Sequence, residues 1–267
     1  MPAAPEPLFT GPSRQAPFDI SGRIALITGS GRGIGLAMAR ALASAGAAVA
    51  IQDIDMSVAQ SEAAKITENG GRAVALGGDI ADPSVALALV DQTVRWMGGL
   101  HILINNAAIQ QTQHWLLDTP EQIERQLRAN LVSPILLCQC AAPILCAQKW
   151  GRIVSIGSIQ GKTGNPSMLA YAISKAALEN MTKALARDLA KDQVTVNLLC
   201  PGWFDTWRNR REFATPEDKV EKGRHAVPLG RIGDPQDFGG IAVLLCSDAA
   251  SYITGQTIYV DGGMSVK

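Results

Sequence analysis

The run Arg23-Ile24-Ala25-Leu26-Ile27-Thr28-Gly29-Ser30-Gly31-Arg32-Gly33-Ile34-Gly35 decides how the rest of the chain is read. Its apolar start predicts a buried strand, Arg23–Thr28, and the Ala-rich stretch Gly33–Gly46 predicts a helix with a glycine stop. Between them lies a cluster of glycines. Glycine lets the backbone approach a bound group closely, and a helix start offers unpaired N–H groups and a positive dipole end. That combination suits a pyrophosphate, although a glycine cluster alone is also what a tight strand-to-helix turn requires.

The next strand narrows the reading. Ala48–Gln52 is apolar and runs into Asp53, eighteen residues beyond Gly35. A carboxylate there can accept hydrogen bonds from both ribose hydroxyls of an adenosine and repels a 2′-phosphate, which selects NAD over NADP. Arg32 is a contrary signal, because a guanidinium beside the ribose can pair with that phosphate. Asp79, at the exit of the third strand, is either an adenine-side contact or an ordinary turn residue. The chain has no Gly-x-x-x-x-Gly-Lys-Ser/Thr motif, which disfavours a triphosphate-binding loop.

Working outward, apolar runs alternate with amphipathic segments to the end of the chain. Strands are expected at Arg72–Leu76, His101–Ile104, Arg152–Ile156, Val194–Leu198 and Thr257–Val260. Helices are expected at Ser57–Asn69 (with Ser57 as its cap), Pro83–Met97, Pro120–Gln148 and Met168–Ala190. Strands this apolar cannot face water, so the fold class is α/β: a Rossmann-like, doubly wound parallel sheet of seven strands with helices on both faces. Residues 20–267 read as a single domain, preceded by a loose proline-rich arm, 1–19. Pro201 to Asp234 reads as irregular, and a segment that long inside a domain predicts a substrate lid, about 202–230.

Composition excludes other classes. Lys plus Arg and Asp plus Glu both number 24, which leaves no basic field for a phosphate backbone, so nucleic-acid binding is not expected. The uncharged stretch Ala129–Gln148 approaches membrane-span length but carries Asn130, Ser133, Pro134, Gln139 and Pro143. It reads as a core helix, and no membrane association is expected. The five cysteines, at 138, 140, 146, 200 and 246, lack zinc-ligand spacing, so no metal site is expected. They read as reduced thiols of a cytoplasmic protein, and no signal peptide is recognised.

Tyr171-Ala-Ile-Ser-Lys175 places a phenol and an ammonium four residues apart on one helix face. A tyrosine that ionises near pH 10 serves as a base only if its phenolate is stabilised, and a lysine cation can do that. Ser158, thirteen residues before Tyr171, sits at the carboxyl end of strand five, where ligands bind in such sheets. Its hydroxyl can polarise a substrate oxygen. The glycine directly before it does not make the Gly-x-Ser-x-Gly elbow of acyl-transfer enzymes. Asn130 lies four residues before Pro134, whose missing N–H predicts a kink and a freed Asn130 carbonyl able to hold a water bonded to Lys175.

These residues resemble the classical short-chain dehydrogenases/reductases from about residue 20 onward. The matching features are Thr28-Gly-x-x-x-Gly-Ile-Gly35, Asp79, Asn105-Asn106-Ala107-Ala108, Asn130, Ser158, Tyr171-x-x-x-Lys175, Pro201-Gly-x-x-x-Thr206 and Asp261-Gly-Gly263. The resemblance implies hydride transfer between a nicotinamide and an alcohol or ketone, usually by a homotetramer, with Asn130, Ser158, Tyr171 and Lys175 as the catalytic tetrad. It implies cofactor contacts from the backbone of Ile34, Ile80, Phe204 and Thr206 and from Asn106, beside Gly29, Arg32, Gly35, Asp53, Asp79, Ala107, Ala108, Pro201, Gly202, Tyr171 and Lys175. Ala108 departs from the pattern, where glycine is common. His101 stands where Asp is common, and reads as structural.

The reading is an NAD-dependent dehydrogenase of a secondary alcohol. Gln110, Trp115, Gln160, Trp203, Arg208 and His225 are substrate-side candidates, and their polarity favours a sugar, polyol or sugar acid. Arg208, Arg210 and Arg211 read either as a solvated lid face or as recruiters of a carboxylate or phosphate. The alternatives are a 3-oxoacyl thioester or hydroxysteroid substrate, and, in another class, a catalytically silent nucleotide sensor. The intact Ser158, Tyr171 and Lys175 argue against the sensor.

Overall fold

Seven strands, β1 (Ile24–Ile27), β2 (Ala48–Asp53), β3 (Arg72–Gly77), β4 (Ile102–Asn105), β5 (Gly151–Ile156), β6 (Val194–Pro201) and β7 (Thr257–Val260), form one parallel sheet. Their spatial order is 3-2-1-4-5-6-7. This computed structural model describes residues 17–266, so the expected arm 1–19 lies almost wholly outside the described residues, as does the Arg211 side chain. The helices are α1 (Gly33–Ser44), α2 (Met56–Glu68), α3 (Pro83–Met97), α4 (Pro120–Leu127), α5 (Ser133–Ala147), α6 (Gln160–Thr163), α7 (Leu169–Leu189), α8 (Pro216–Ala226) and α9 (Gly239–Leu245).

Side chains alternate across β1 and so divide the core. Ala25 and Ile27 pack with Met38 and Leu42 of α1, Ala63 of α2 and Leu245 of α9. Leu26 faces the opposite side, among Leu89 of α3, Leu137 of α5 and Leu189 of α7. All these residues are almost completely buried. Full burial of each large apolar side chain contributes about 1.5–3 kcal/mol, so the β1 alternation fixes the sheet's register. In that register Ala25 pairs with Val49 on one side and Ile102 on the other. The chain therefore reverses its winding between β1 and β4, and the crevice at their carboxyl ends is where ligands bind in open α/β sheets.

Four local features differ from the sequence expectation. The cap of α2 is Asp55, whose carboxylate accepts from the backbone of Ser57 and Val58; Ser57 lies inside the helix. The continuous helix expected over 120–148 is interrupted by a wide turn, Arg128–Val132, in which the Ser133 N–H reaches back five residues to the Arg128 carbonyl. Although Pro120–Ala147 is long and apolar enough to cross a membrane, Leu137, Cys138, Ala141 and Leu145 are packed into the core. Segment 201–234 is not irregular: it holds α8, which Thr215 caps by accepting from Asp218 and which Pro216 opens. The short helix α6 follows Ser158 and was not expected.

Candidate active site

A cavity of about 360 Å³ opens at the carboxyl edge of the sheet, spanning the ends of β1, β2, β4 and β5. Gly29 and Gly35 make its floor. A Cβ on Gly29 would come within 2.8 Å of the Ala107 Cα, and one on Gly35 would collide with the Asn106 amide nitrogen and the Gly29 carbonyl. Asn106 holds this turn by donating to the Thr28 and Gly29 carbonyls, at 2.8 Å each. Gln52 braces the other side, accepting from the Gly29 N–H and donating to the Gly78 carbonyl. No side chain caps the start of α1. A glycine cradle at an uncapped helix start fits the pyrophosphate of a dinucleotide.

At one end of the cavity Asp53 leaves β2 and lies against Gly31, with Arg32 3.7 Å from its carboxylate. Arg32 is also stacked toward the Trp207 ring, 5.3 Å from its centroid. Asp79 lines the same end and is paired with Arg125 at 2.7 Å.

At the other end α7 presents Tyr171 and Lys175, both buried. The Lys175 ammonium lies 5.6 Å from the Tyr171 ring centroid and donates to the Ile156 carbonyl at 2.6 Å. Burial, reinforced by the Arg208 cation, depresses Lys175 to about 7. Burial also pushes the Tyr171 phenol above its ordinary value, partly offset by Arg208 and a hydrogen bond with Ser158. In the cofactor-free protein desolvation holds both groups toward their neutral forms.

Ser158 is buried just beyond β5, and its Oγ accepts from the Gln160 N–H. Asn130 sits in the wide turn, fully buried, and its side chain is engaged on both sides. Its Oδ1 accepts from the Ile109 N–H, and its Nδ2 donates to the Ile109 carbonyl and the Ser174 hydroxyl. It thus ties the loop after β4 to α7, next to Lys175.

Of the expected cofactor contacts, Gly29, Arg32, Ile34, Gly35, Asp53, Asp79, Ile80, Asn106, Ala107, Ala108, Tyr171, Lys175, Pro201 and Thr206 line the cavity. Two do not. Phe204 is buried against Phe238, with ring centroids 5.0 Å apart, and Gly202 is pressed against Asp261. Among the substrate candidates, Arg208 lines the cavity, donating to the Ala108 carbonyl at 3.0 Å and to Gln110 at 3.3 Å. Gln110 therefore touches the site without lining it. Trp115 is half-exposed, and its backbone N–H donates to the Pro166 carbonyl. Gln160 begins α6, and Trp203 packs on Phe213. His225 is not brought to the site: the register of α8 turns it outward, where it meets Glu221. Gln52, Arg125 and Trp207 are cavity residues that the sequence reading missed. Gln52 carried a signal, being polar within an otherwise apolar strand.

A sequence family described as enoyl-(acyl carrier protein) reductase matches residues 29–265. The chain is similar to the 3-oxoacyl-[acyl-carrier-protein] reductase FabG of Aquifex aeolicus, with 39% identity over 62% of this chain and 66% of that protein. It is 36% identical to the L-rhamnose 1-dehydrogenase (NAD(P)(+)) of a Sphingomonas species, over 78% of this chain and 82% of that one. It also superposes on a gluconate 5-dehydrogenase from Burkholderia cenocepacia, solved with NADP and tartrate. That match has a TM-score of 0.87 and 34% identity, and covers 94% of this chain and 98% of the other. With a seven-stranded Rossmann-like sheet, a dinucleotide cradle and these relatives, the chain belongs to the short-chain dehydrogenase/reductase family, as an NAD(P)-dependent enzyme acting on CH–OH groups.

Proposed function

We propose that the protein is an NAD-preferring dehydrogenase that interconverts a secondary alcohol and a ketone on a sugar, polyol or sugar acid. The observation that carries this reading is that Asp53 and the Tyr171–Lys175 pair line opposite ends of one cavity. When bound, the nicotinamide cofactor supplies the hydride acceptor. Gly29, Gly35 and the start of α1 hold its phosphates, and Asp53 its adenosine ribose. Tyr171 removes the proton from the substrate hydroxyl. Ser158 donates a hydrogen bond to the same oxygen, steadying the charge that develops there. Lys175 holds the phenolate once formed, and Asn130 fixes the loop and helix that aim these groups.

The polar groups near Tyr171, Arg208 and Gln110 support a hydroxylated substrate, as do relatives named for gluconate and rhamnose. The 3-oxoacyl reductases among the relatives favour the second reading, reduction of an acyl thioester. Residues 202–230 act as the lid over the substrate. The exposed apolar side chains of Leu116, Leu117, Val132, Ile135, Leu169 and Ile173 support burial in a homotetramer, and unbridged cysteines suit the cytoplasm.

A panel of sugars, polyols, sugar acids, 3-hydroxyacyl thioesters and hydroxysteroids, assayed at 340 nm with each coenzyme, tests the reading. NADH formation with the hydroxylated small molecules is expected. Turnover confined to thioesters or steroids would overturn it.

A further inference from the structure

We infer that Arg208 selects a substrate bearing a carboxylate, gripping that group while Tyr171 and Ser158 act on a hydroxyl elsewhere in the molecule. The inference rests on the proposed reaction at this cavity. It begins with a difference among the lid cations. Arg210 and Lys219 are both paired with Asp205, and Lys222 with Asp218. Arg208 has no carboxylate partner among the described residues. Instead its two terminal nitrogens reach neutral acceptors, the Ala108 carbonyl and the Gln110 side-chain oxygen.

The position of this guanidinium matters. It lines the cavity together with Tyr171 and Lys175, close enough for its charge to act on both. The carboxylates that line the cavity, Asp53 and Asp79, leave β2 and follow β3. Asp53 faces Arg32, and Asp79 faces Arg125. The Tyr171 end therefore holds the Arg208 cation and no lining carboxylate among the described residues. An anionic substrate is attracted to that end, and a carboxylate offers the planar guanidinium two bonds to a charged acceptor in place of two to neutral acceptors. An uncharged polyol offers only another pair of neutral acceptors, so Arg208 gains nothing by leaving Ala108 and Gln110. Discrimination comes from that difference.

The test uses aldonates of four to six carbons, each compared with the polyol of the same configuration. Dissociation constants are measured by calorimetry on coenzyme-saturated protein, and kcat/KM at 340 nm, for wild type, Arg208→Met and Arg208→Lys. Wild type is expected to favour aldonate over polyol at least tenfold in both measurements. Arg208→Met is expected to lose that preference, and Arg208→Lys to keep part of it, since the charge remains but the fork is gone. No preference in wild type, or an undiminished one in Arg208→Met, would overturn the inference. So would a change confined to coenzyme affinity, which would assign Arg208 to the cofactor. If no secondary alcohol is oxidised, the proposed reaction fails, while the binding ratio still decides the role of Arg208.

Discussion

The Arg32 guanidinium lies 3.7 Å from the Asp53 carboxylate, so the two residues that argue for opposite coenzymes face each other across one corner of the cavity. Arg32 is substantially exposed, whereas Asp53 is buried between β2 and Gly31. The carboxylate is fixed, and the cation is free to swing. Like charges at contact therefore exclude a 2′-phosphate, and NAD is expected to exceed NADP in kcat/KM. Asp53→Ala removes the repulsion and releases Arg32, so the preference should collapse or reverse. Steady-state kinetics with both coenzymes checks this; equal efficiency in the wild type would mean that Arg32 outweighs the acid.

Lys175 is depressed to about 7 mainly by burial. A cation that ionises near 10.5 when unfolded and near 7 when folded favours folding at high pH and opposes it once the folded state must carry the proton. Stability tied to this group is thus lost as pH falls from about 10.5 through 7. Lys175→Met should abolish turnover yet raise stability by roughly 1–4 kcal/mol near pH 6. The gain should shrink toward pH 10. Thermal melts across that range decide; a variant less stable at pH 6 would contradict the account.

His101 tests the opposite rim of the sheet. Its Nδ1 accepts from the Ile24 N–H at 3.1 Å, binding the starts of β1 and β4, and only an imidazole with a free lone pair can accept. Burial and the nearby Arg23 cation hold its pKa below the ordinary value. Protonation is therefore resisted by the folded state, and stability declines as pH falls below about 6.5. His101→Asn keeps an acceptor without a titrating group and should flatten that decline by roughly 1 kcal/mol. Urea titrations at pH 7 and 5 measure it.

The fold was legible because its decisive signals are local. A uniformly apolar strand next to a glycine turn, repeated with an acid at the next strand end, needs no long-range information, and Tyr171 and Lys175 share a face by helical spacing alone. The misses are non-local. Arg125 enters the cavity from a distant segment, and nothing near it in the chain marks that destination. His225 turned outward because Thr215 set the start of α8; Thr215-Pro216 with Asp218 two residues on was a readable cap that went unread.

The central claim is that Tyr171 is the base. Its phenol is buried, neutral in the cofactor-free protein and hydrogen-bonded with Ser158, so removing only its oxygen should leave the cavity's shape intact. The direct measurement is the rate of NADH formation by Tyr171→Phe at saturating substrate, with coenzyme affinity determined by fluorescence titration. The account predicts loss of at least about a thousandfold in kcat with NAD affinity within about threefold of wild type. A variant that keeps more than about a tenth of the wild-type rate would show that another group takes the proton.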